Sequence, residues 1–395
     1  MVLFLHNRYR TTGGEERVVD DLLGLVRDRL GEPAELLAAD STAIGRARAA
    51  AGLLRGGLDP SAVAAAVRRG GARVLHAHNL QPAFGWRALA AARAEGARVV
   101  LHLHQYRLVC AVGVCFTEGQ ECTRCHGRNT LPGIVRNCRG SRAEAVAYGT
   151  SLALWQRRMS ALADAVIVPS RFALERLEEL GAPLAGGRVR VLAPPVEMPV
   201  EALVPRSLAD GGYALVVSRL APEKGVAVAI DACRSAGVPL VIAGDGPELE
   251  SLRARSAGGD VQMLGRVDAG RLAELRRGAA IALVPSRSAE TFGMAAAEAM
   301  ACGLPVAASD VGALPELLGS EALVAPGDPE ALAAAIRRLA GDRAAGEAGR
   351  RRVAELCSPE VIAQGLREIY AGSSGGGTEA FAADGSEGRP ASDPA

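Results

Sequence analysis

The chain reads as an α/β protein built from two doubly wound, Rossmann-like domains that face each other across a cleft. Three observations predict this. Short apolar runs alternate with helical stretches, the pattern of a parallel sheet covered by helices on both faces. The alternation stops at a proline-rich stretch in mid-chain and then starts again. A length of 395 residues also exceeds what one hydrophobic core usually serves.

The first strand is expected at 2–6, where Val2-Leu3-Phe4-Leu5-His6 forms a buried run. Strands follow at 72–77, 97–103, 165–168 and 188–192, with helices at 15–30, 60–69, 83–95, 142–162 and 171–180. Pro194, Pro195, Pro199 and Pro205 then mark an interdomain linker. Beyond it, strands are expected near 213–217, 239–243, 260–263, 280–284, 305–308 and 322–324. Helices fall between them, near 223–236, 247–256, 269–277, 293–302 and 328–341. Ser358-Pro359-Glu360 opens a last helix, with proline at its first position. The resulting division is a first domain at 1–197, a linker at 198–210, a second domain at 211–357, a closing helix at 358–371 and a tail at 372–395. The tail is rich in Gly, Ser, Ala and acids, a composition expected to be disordered.

Apolar residues make up 49% and aromatics only 3%, so Ala, Leu and Val must fill the cores. Residues 1–197 carry 26 Lys and Arg against 18 Asp and Glu, and the remainder 19 against 26. A basic first half suits an anionic membrane surface or a phosphate-bearing acceptor. A nucleic-acid partner is not expected. No run of 18 apolar residues occurs, and the start lacks a basic n-region, so a cytoplasmic protein with reduced thiols is expected.

In open parallel sheets, ligands bind beyond the carboxyl ends of the strands, so polar residues there are candidates. The outstanding stretch is Glu290-Thr291-Phe292-Gly293-Met294-Ala295-Ala296-Ala297-Glu298, which follows an apolar strand and opens a helix at Gly293. Backbone N–H groups at that helix start make an anion site, and Glu290 and Glu298 flank it as acceptors for hydroxyls. Arg219 follows another strand, and Lys224 stands at the next helix start. Two cations there oppose the helix dipole unless an anion is present. In the first half, Gly13-Gly14 precede a helix and permit close backbone approach. Val241-Ile242-Ala243-Gly244-Asp245-Gly246 begins like a dinucleotide fingerprint, but Leu249 replaces the third glycine. Leu264-Gly265-Arg266-Val267 ends another strand and is placed to contact a base through backbone groups. His76, His78 and His104 lie at strand ends, with His104 on the cleft side and His102, two positions earlier, on the same strand face.

Together these pieces resemble the retaining GT-B glycosyltransferases of glycosyltransferase family 4 over residues 1–371. The shared wording is Glu-x-Phe-Gly-x-x-x-x-Glu-Ala-Met-Ala at 290–301, with Gly13-Gly14, Arg219 and Lys224. The resemblance implies that Glu298 holds the donor ribose. It gives Glu290, with the N–H groups of Phe292, Gly293 and Met294, the donor sugar and part of the diphosphate. Arg219 and Lys224 would neutralise the departing diphosphate, Gly14 would contact phosphate from across the cleft, and His104 would face the sugar. The implied reaction moves a sugar from a UDP- or GDP-type donor to a saccharide, glycolipid or small-molecule hydroxyl, with retention and without a metal. No Asp-x-Asp is present, and the two cations with a helix start can stabilise the leaving group. Two other readings are a sugar-nucleotide epimerase of the same shape and a catalytically silent sugar-nucleotide-binding subunit. The first gives no reason for Arg219, Lys224 and the two glutamates together, and the intact set argues against the second.

Residues 105–140 form a Cys-rich insertion, and a bacterial subgroup of the family looks similar at His104-Gln105-Tyr106-Arg107-Leu108-Val109-Cys110. Cys122 and Cys125 have metal-ligand spacing. With Cys110 and Cys138 they are candidates for a four-thiolate structural zinc, Cys115 being the spare. Reduced thiols and a disulfide are the alternatives.

Overall fold

A computed structural model of the chain describes residues 1–9 and 13–372. Thr11, Thr12 and the tail expected beyond Gly372 lie outside them.

The first domain contains β1 (Val2–Arg8), β2 (Ala34–Asp40), β3 (Val74–Ala77), β4 (Arg98–His102), a short hairpin of β5 (Phe116–Thr117) and β6 (Gln120–Glu121), β7 (Ala165–Val168) and β8 (Val189–Val191). Its parallel sheet runs β2-β1-β3-β4-β7-β8. Alternate residues go to opposite faces, and both faces are buried. Val2, Phe4, Val74 and Val100 join one cluster, and Leu3, Leu5, Leu75 and Leu101 the other. The second domain contains β9 (Tyr213–Val217), β10 (Leu240–Ala243), β11 (Val261–Gly265), β12 (Ala279–Val284), β13 (Val306–Ser309) and β14 (Leu323–Val324), in the order β11-β10-β9-β12-β13-β14.

The closing helix, Pro359–Ala371, lies against the first domain. Arg98 Nε donates to the Ile369 carbonyl at 3.0 Å, and the Tyr370 hydroxyl is 2.7 Å from His76 Nδ1. Ile362, Leu366 and Ile369 share one apolar cluster with Phe4 of the first sheet and Leu215 of the second. The two domains are therefore joined by a continuous core as well as by the linker.

Several elements differ from the sequence expectation. β2 was not expected: Ala34-Glu35-Leu36-Leu37-Ala38-Ala39-Asp40 is made of helix formers. It becomes a strand by pairing with β1 over seven residues, from Val2 with Ala34 to Arg8 with Asp40. Helices Arg46–Arg55, Leu131–Val135 and Arg343–Cys357 are also additional. The last is started by Asp342, whose carboxylate accepts from the N–H groups of Ala344 and Ala345. Among the described residues, no helix is long and apolar enough to cross a membrane.

Candidate active site

In the second sheet the strand order turns between β9 and β12, which opens a crevice at their carboxyl ends. The loops after these strands, 218–225 and 285–293, meet there. Gly225 makes the meeting possible. Its φ is +62°, and a Cβ would lie 2.1 Å from the Pro285 carbonyl oxygen. The close approach sets Lys224 Nζ 2.6 Å from Glu290 Oε1, and Ser286 Oγ donates to the same oxygen at 2.6 Å. Burial pushes the Glu290 carboxyl up, but Lys224, Ser286 and Arg219 outweigh it and hold the group below the usual carboxylate range. Glu290 is therefore an ionised, oriented acceptor. Arg219 pairs with Glu223 and faces the same crevice charge.

Helix Met294–Ala301 begins immediately beyond, with Gly293 at φ +104° as its cap. Its first turn presents the positive end of the helix beside Glu290. Phe292 anchors the turn in the core, and Val267 packs partly buried against the same cluster. Glu298, one turn into the helix, stands in a separate ionic group. Its Oε2 accepts from Arg276, and its Oε1 lies 2.9 Å from Arg17 of the first domain. The structure thus brings together Arg219, Lys224, Glu290 and Gly293, and sets Glu298 apart.

Across the crevice, Gly13 caps helix Gly14–Asp28. Its N–H donates to Glu16 Oε2 at 2.8 Å, and the Tyr9 N–H donates to Glu16 Oε1 at 3.0 Å. His104 follows β4, with Nε2 2.8 Å from His78 Nδ1. Burial lowers the His104 pKa, which keeps the ring neutral. Its carbonyl accepts from Thr291 Oγ1 at 2.9 Å, and Ser170 Oγ donates to the Thr291 carbonyl at 2.8 Å. Thr291 is thereby clamped by the first domain and seats its neighbour Glu290 near His104. Tyr9, Glu15, His78 and Arg107 line a cavity beside that histidine.

Cys110, Cys115, Cys122, Cys125 and Cys138 line one cavity, and all are free thiols. Zinc–sulfur bonds of about 2.3 Å would bring ligand sulfurs to within about 3.8 Å of one another. Among the described residues, the group of three or more ligand atoms gathered within 4.8 Å is His76, His78 and His102, and the cysteines form no such set. The four thiols therefore do not form a ready-made zinc cage. Cys115 lies beside Cys110 in this cavity. Its thiol hydrogen-bonds Cys110 and pulls the Cys110 pKa down to about 6, while its own rises.

Four residues at the site were not singled out from the sequence: Ser286, Thr291, Arg276 and Arg17. Ser286 carried a faint signal, four positions before Glu290 in the same loop. A stronger signal concerns Lys224, the single lysine among 45 Lys and Arg residues. A chain that uses arginine everywhere else keeps a compact ammonium at this one position. The Glu290 contact is a point charge on one oxygen, which suits an ammonium better than a planar fork.

Two doubly wound domains with cations and carboxylates at the strand ends of their shared crevice define the GT-B fold. The family model described as glycosyl transferases group 1 matches residues 205–354, and that of the glycosyl transferase 4-like domain matches residues 9–195. Between them they take in both domains, and the chain belongs to this glycosyltransferase family. A GDP-mannose-dependent alpha-(1-6)-phosphatidylinositol dimannoside mannosyltransferase of Mycobacterium tuberculosis is 32% identical over 199 residues, which is 46% of this chain and 50% of that one. A D-inositol 3-phosphate glycosyltransferase of Acidothermus cellulolyticus is 37% identical over 187 residues, covering 38% and 40%. The chain thus spans half or less of these curated relatives. Among solved structures, sucrose-phosphate synthase from Thermosynechococcus elongatus superimposes with TM-score 0.65 at 21% identity, over 94% of this chain and 98% of that one. Anabaena Alr3699/HepE in complex with UDP does so with TM-score 0.62 at 17% identity, over 94% and 100%.

Proposed function

We propose that the protein transfers a sugar from a nucleoside diphosphate sugar to an acceptor hydroxyl, with retention of anomeric configuration and without a catalytic metal. The observation that carries this reading is the Lys224–Glu290 pair at 2.6 Å, set beside a helix start with Arg219 adjacent. An ionised carboxylate suits sugar hydroxyls, and two cations with a helix N-terminus suit a diphosphate. In this reading the acceptor oxygen bonds to the anomeric carbon on the face the diphosphate leaves. The carbon–oxygen bond to phosphate breaks, and the acceptor proton passes to the departing phosphate oxygen. Glu290 orients the sugar, neutral His104 hydrogen-bonds it from the first domain, and Arg219 and Lys224 carry the leaving charge. Gly13, Gly14 and the N–H groups of Phe292, Gly293 and Met294 approach the phosphates, Val267 borders the base, and Glu298 takes the ribose.

The donor is of UDP or GDP type. The Anabaena neighbour in complex with UDP, with UDP and glucose, and with UDP-glucose supports the first, and the GDP-mannose-dependent mycobacterial relative supports the second. The acceptor is a saccharide, a glycolipid or a small molecule, in surface polysaccharide, glycolipid or glycoside assembly. Peripheral contact with the cytoplasmic face of a membrane belongs to the same reading. Helix Arg142–Leu162 exposes Val146 and Leu154 beside exposed Arg142, Arg157 and Arg158. A zinc staple is left out of this reading: Cys110, Cys122, Cys125 and Cys138 line one cavity, but among the described residues no three of their ligand atoms gather within 4.8 Å.

Titration with UDP and GDP tests the donor site. One of them is expected to raise the melting temperature, by the equivalent of about 2.7 kcal/mol at a hundred times its Kd. The double variant Arg219→Ala/Lys224→Met should lose that shift. If neither nucleotide stabilises the wild type, the reading fails.

A further inference from the structure

Glu298 is held from both domains. Its Oε2 accepts from Arg276 on helix Ala269–Gly278, and its Oε1 is 2.9 Å from Arg17 Nη1 on the first turn of Gly14–Asp28. The two guanidinium groups are not equivalent. The Arg276 side chain is 13% exposed and belongs to the same domain as Glu298. The Arg17 side chain is 53% exposed and reaches Glu298 from across the crevice. A second carboxylate waits for Arg17 on its own helix: Asp21 Oδ2 lies 3.9 Å from Arg17 Nε. Asp21 is pushed up to about 6, first by burial, with Arg17 opposing and Glu298 and Glu197 adding to the rise. One long side chain is thus shared between two carboxylates, one in each domain.

A ribose bound through its two vicinal hydroxyls needs free lone pairs on the accepting carboxylate. Each Glu298 oxygen already carries one guanidinium contact that a ribose hydroxyl must share or displace, and the contact reaching it from the first domain is that of Arg17. We propose that Arg17 competes with the donor nucleotide: it covers Glu298 and latches the domains in the donor-free protein, and it moves to Asp21 when ribose hydroxyls take its place. This rests on the ribose role of Glu298 proposed above. Arg17 is then a determinant of donor affinity that acts by opposing it. Apparent affinity is scaled by the fraction of molecules whose site is open, so removing the competitor tightens binding. A half-exposed ion pair of this kind supports a gain of about three- to fivefold.

Calorimetric titration of UDP and GDP into the full chain decides the matter, with wild type, Arg17→Met, Arg17→Lys, Glu298→Gln and Arg17→Met/Glu298→Gln compared at low and high salt. Arg17→Met is expected to lower the Kd of the nucleotide that binds by about three- to fivefold. Arg17→Lys should give a smaller gain. The gain should shrink at high salt, because the latch is a partly exposed ion pair. It should also vanish in the Glu298→Gln background. An unchanged or higher Kd for Arg17→Met, with Glu298→Gln still weakening the nucleotide, overturns the competition and leaves the ribose reading standing. A gain that persists without Glu298 also overturns it. No effect of Glu298→Gln, or no binding of either nucleotide, removes the ribose reading and this inference with it.

Discussion

Replacing Lys224 by Met removes the ammonium from Glu290 while keeping the side chain's length. At the 2.6 Å separation and an effective dielectric of about 20, the pair's gross attraction is on the order of 6 kcal/mol, before desolvation is subtracted. The side chains are 28% and 14% exposed, so most of the contact is shielded from water. Deleting one partner of such a pair strands the other and costs about 3–5 kcal/mol. That corresponds to a fall in melting temperature on the order of 10 °C. The pH dependence should change sign as well. In the wild type the Glu290 pKa lies below its unfolded value, so its contribution is present above that value and is lost as pH falls through the folded one. In the variant, burial becomes the dominant influence and raises the pKa, so the penalty grows as pH rises above the unfolded value. Melting followed from about pH 4 to pH 8 should show the variant's deficit widest at high pH and narrowing on acidification. Lys224→Met/Glu290→Gln should recover most of the loss. A deficit that is constant with pH, and is not relieved in the double variant, would refute the ion-pair account.

Gly225→Ala should force apart the two loops that join Lys224 to Glu290, since its Cβ would sit 2.1 Å from a backbone oxygen at φ +62°. A melting loss larger than the roughly 1–2 kcal/mol of a left-handed residue alone is expected, together with weaker UDP or GDP binding. Thr291→Val deletes the bond to the His104 carbonyl, at a cost of about 1 kcal/mol. Faster amide exchange across 286–292, read by mass spectrometry, is its expected signature, and unchanged exchange would count against the clamp. Cys110 is expected to react with iodoacetamide from about pH 6 upward, ahead of the other thiols. In Cys115→Ala the onset should move to higher pH, because the donor that favours the thiolate is gone.

These outcomes share one physical basis. The crevice collects charge that is expensive to bury, and Glu290 and Glu298 are each matched by a cation from another element or another domain. Glu290 is matched within the second domain and is preorganised before any ligand arrives. Glu298 is matched partly from the first domain, so its availability depends on how the domains meet. The interdomain hydrogen bonds at Thr291 couple these two regions through one short segment.

The sequence by itself determined the two-domain α/β architecture and the helix after Gly293. It did so because strand and helix periodicities, prolines and helix starts are local signals, complete within a dozen residues. Tertiary structure alone decided the rest. Ala34–Asp40 is composed for a helix, yet it is a strand because β1 offers it a seven-residue partner. The Lys224–Glu290 bond joins residues 66 positions apart, and the Ser170–Thr291 bond residues 121 apart, through loops that meet where sheets and domains face each other. Cys122 and Cys125 have metal-ligand spacing in the chain, but ligand geometry is a property of three dimensions, and among the described residues no three cysteine sulfurs of the insertion gather within 4.8 Å. Spacing specifies which groups are available to a site. Which of them touch is set by the strand order and by the approach of the two domains, and neither is written in any single stretch of the chain.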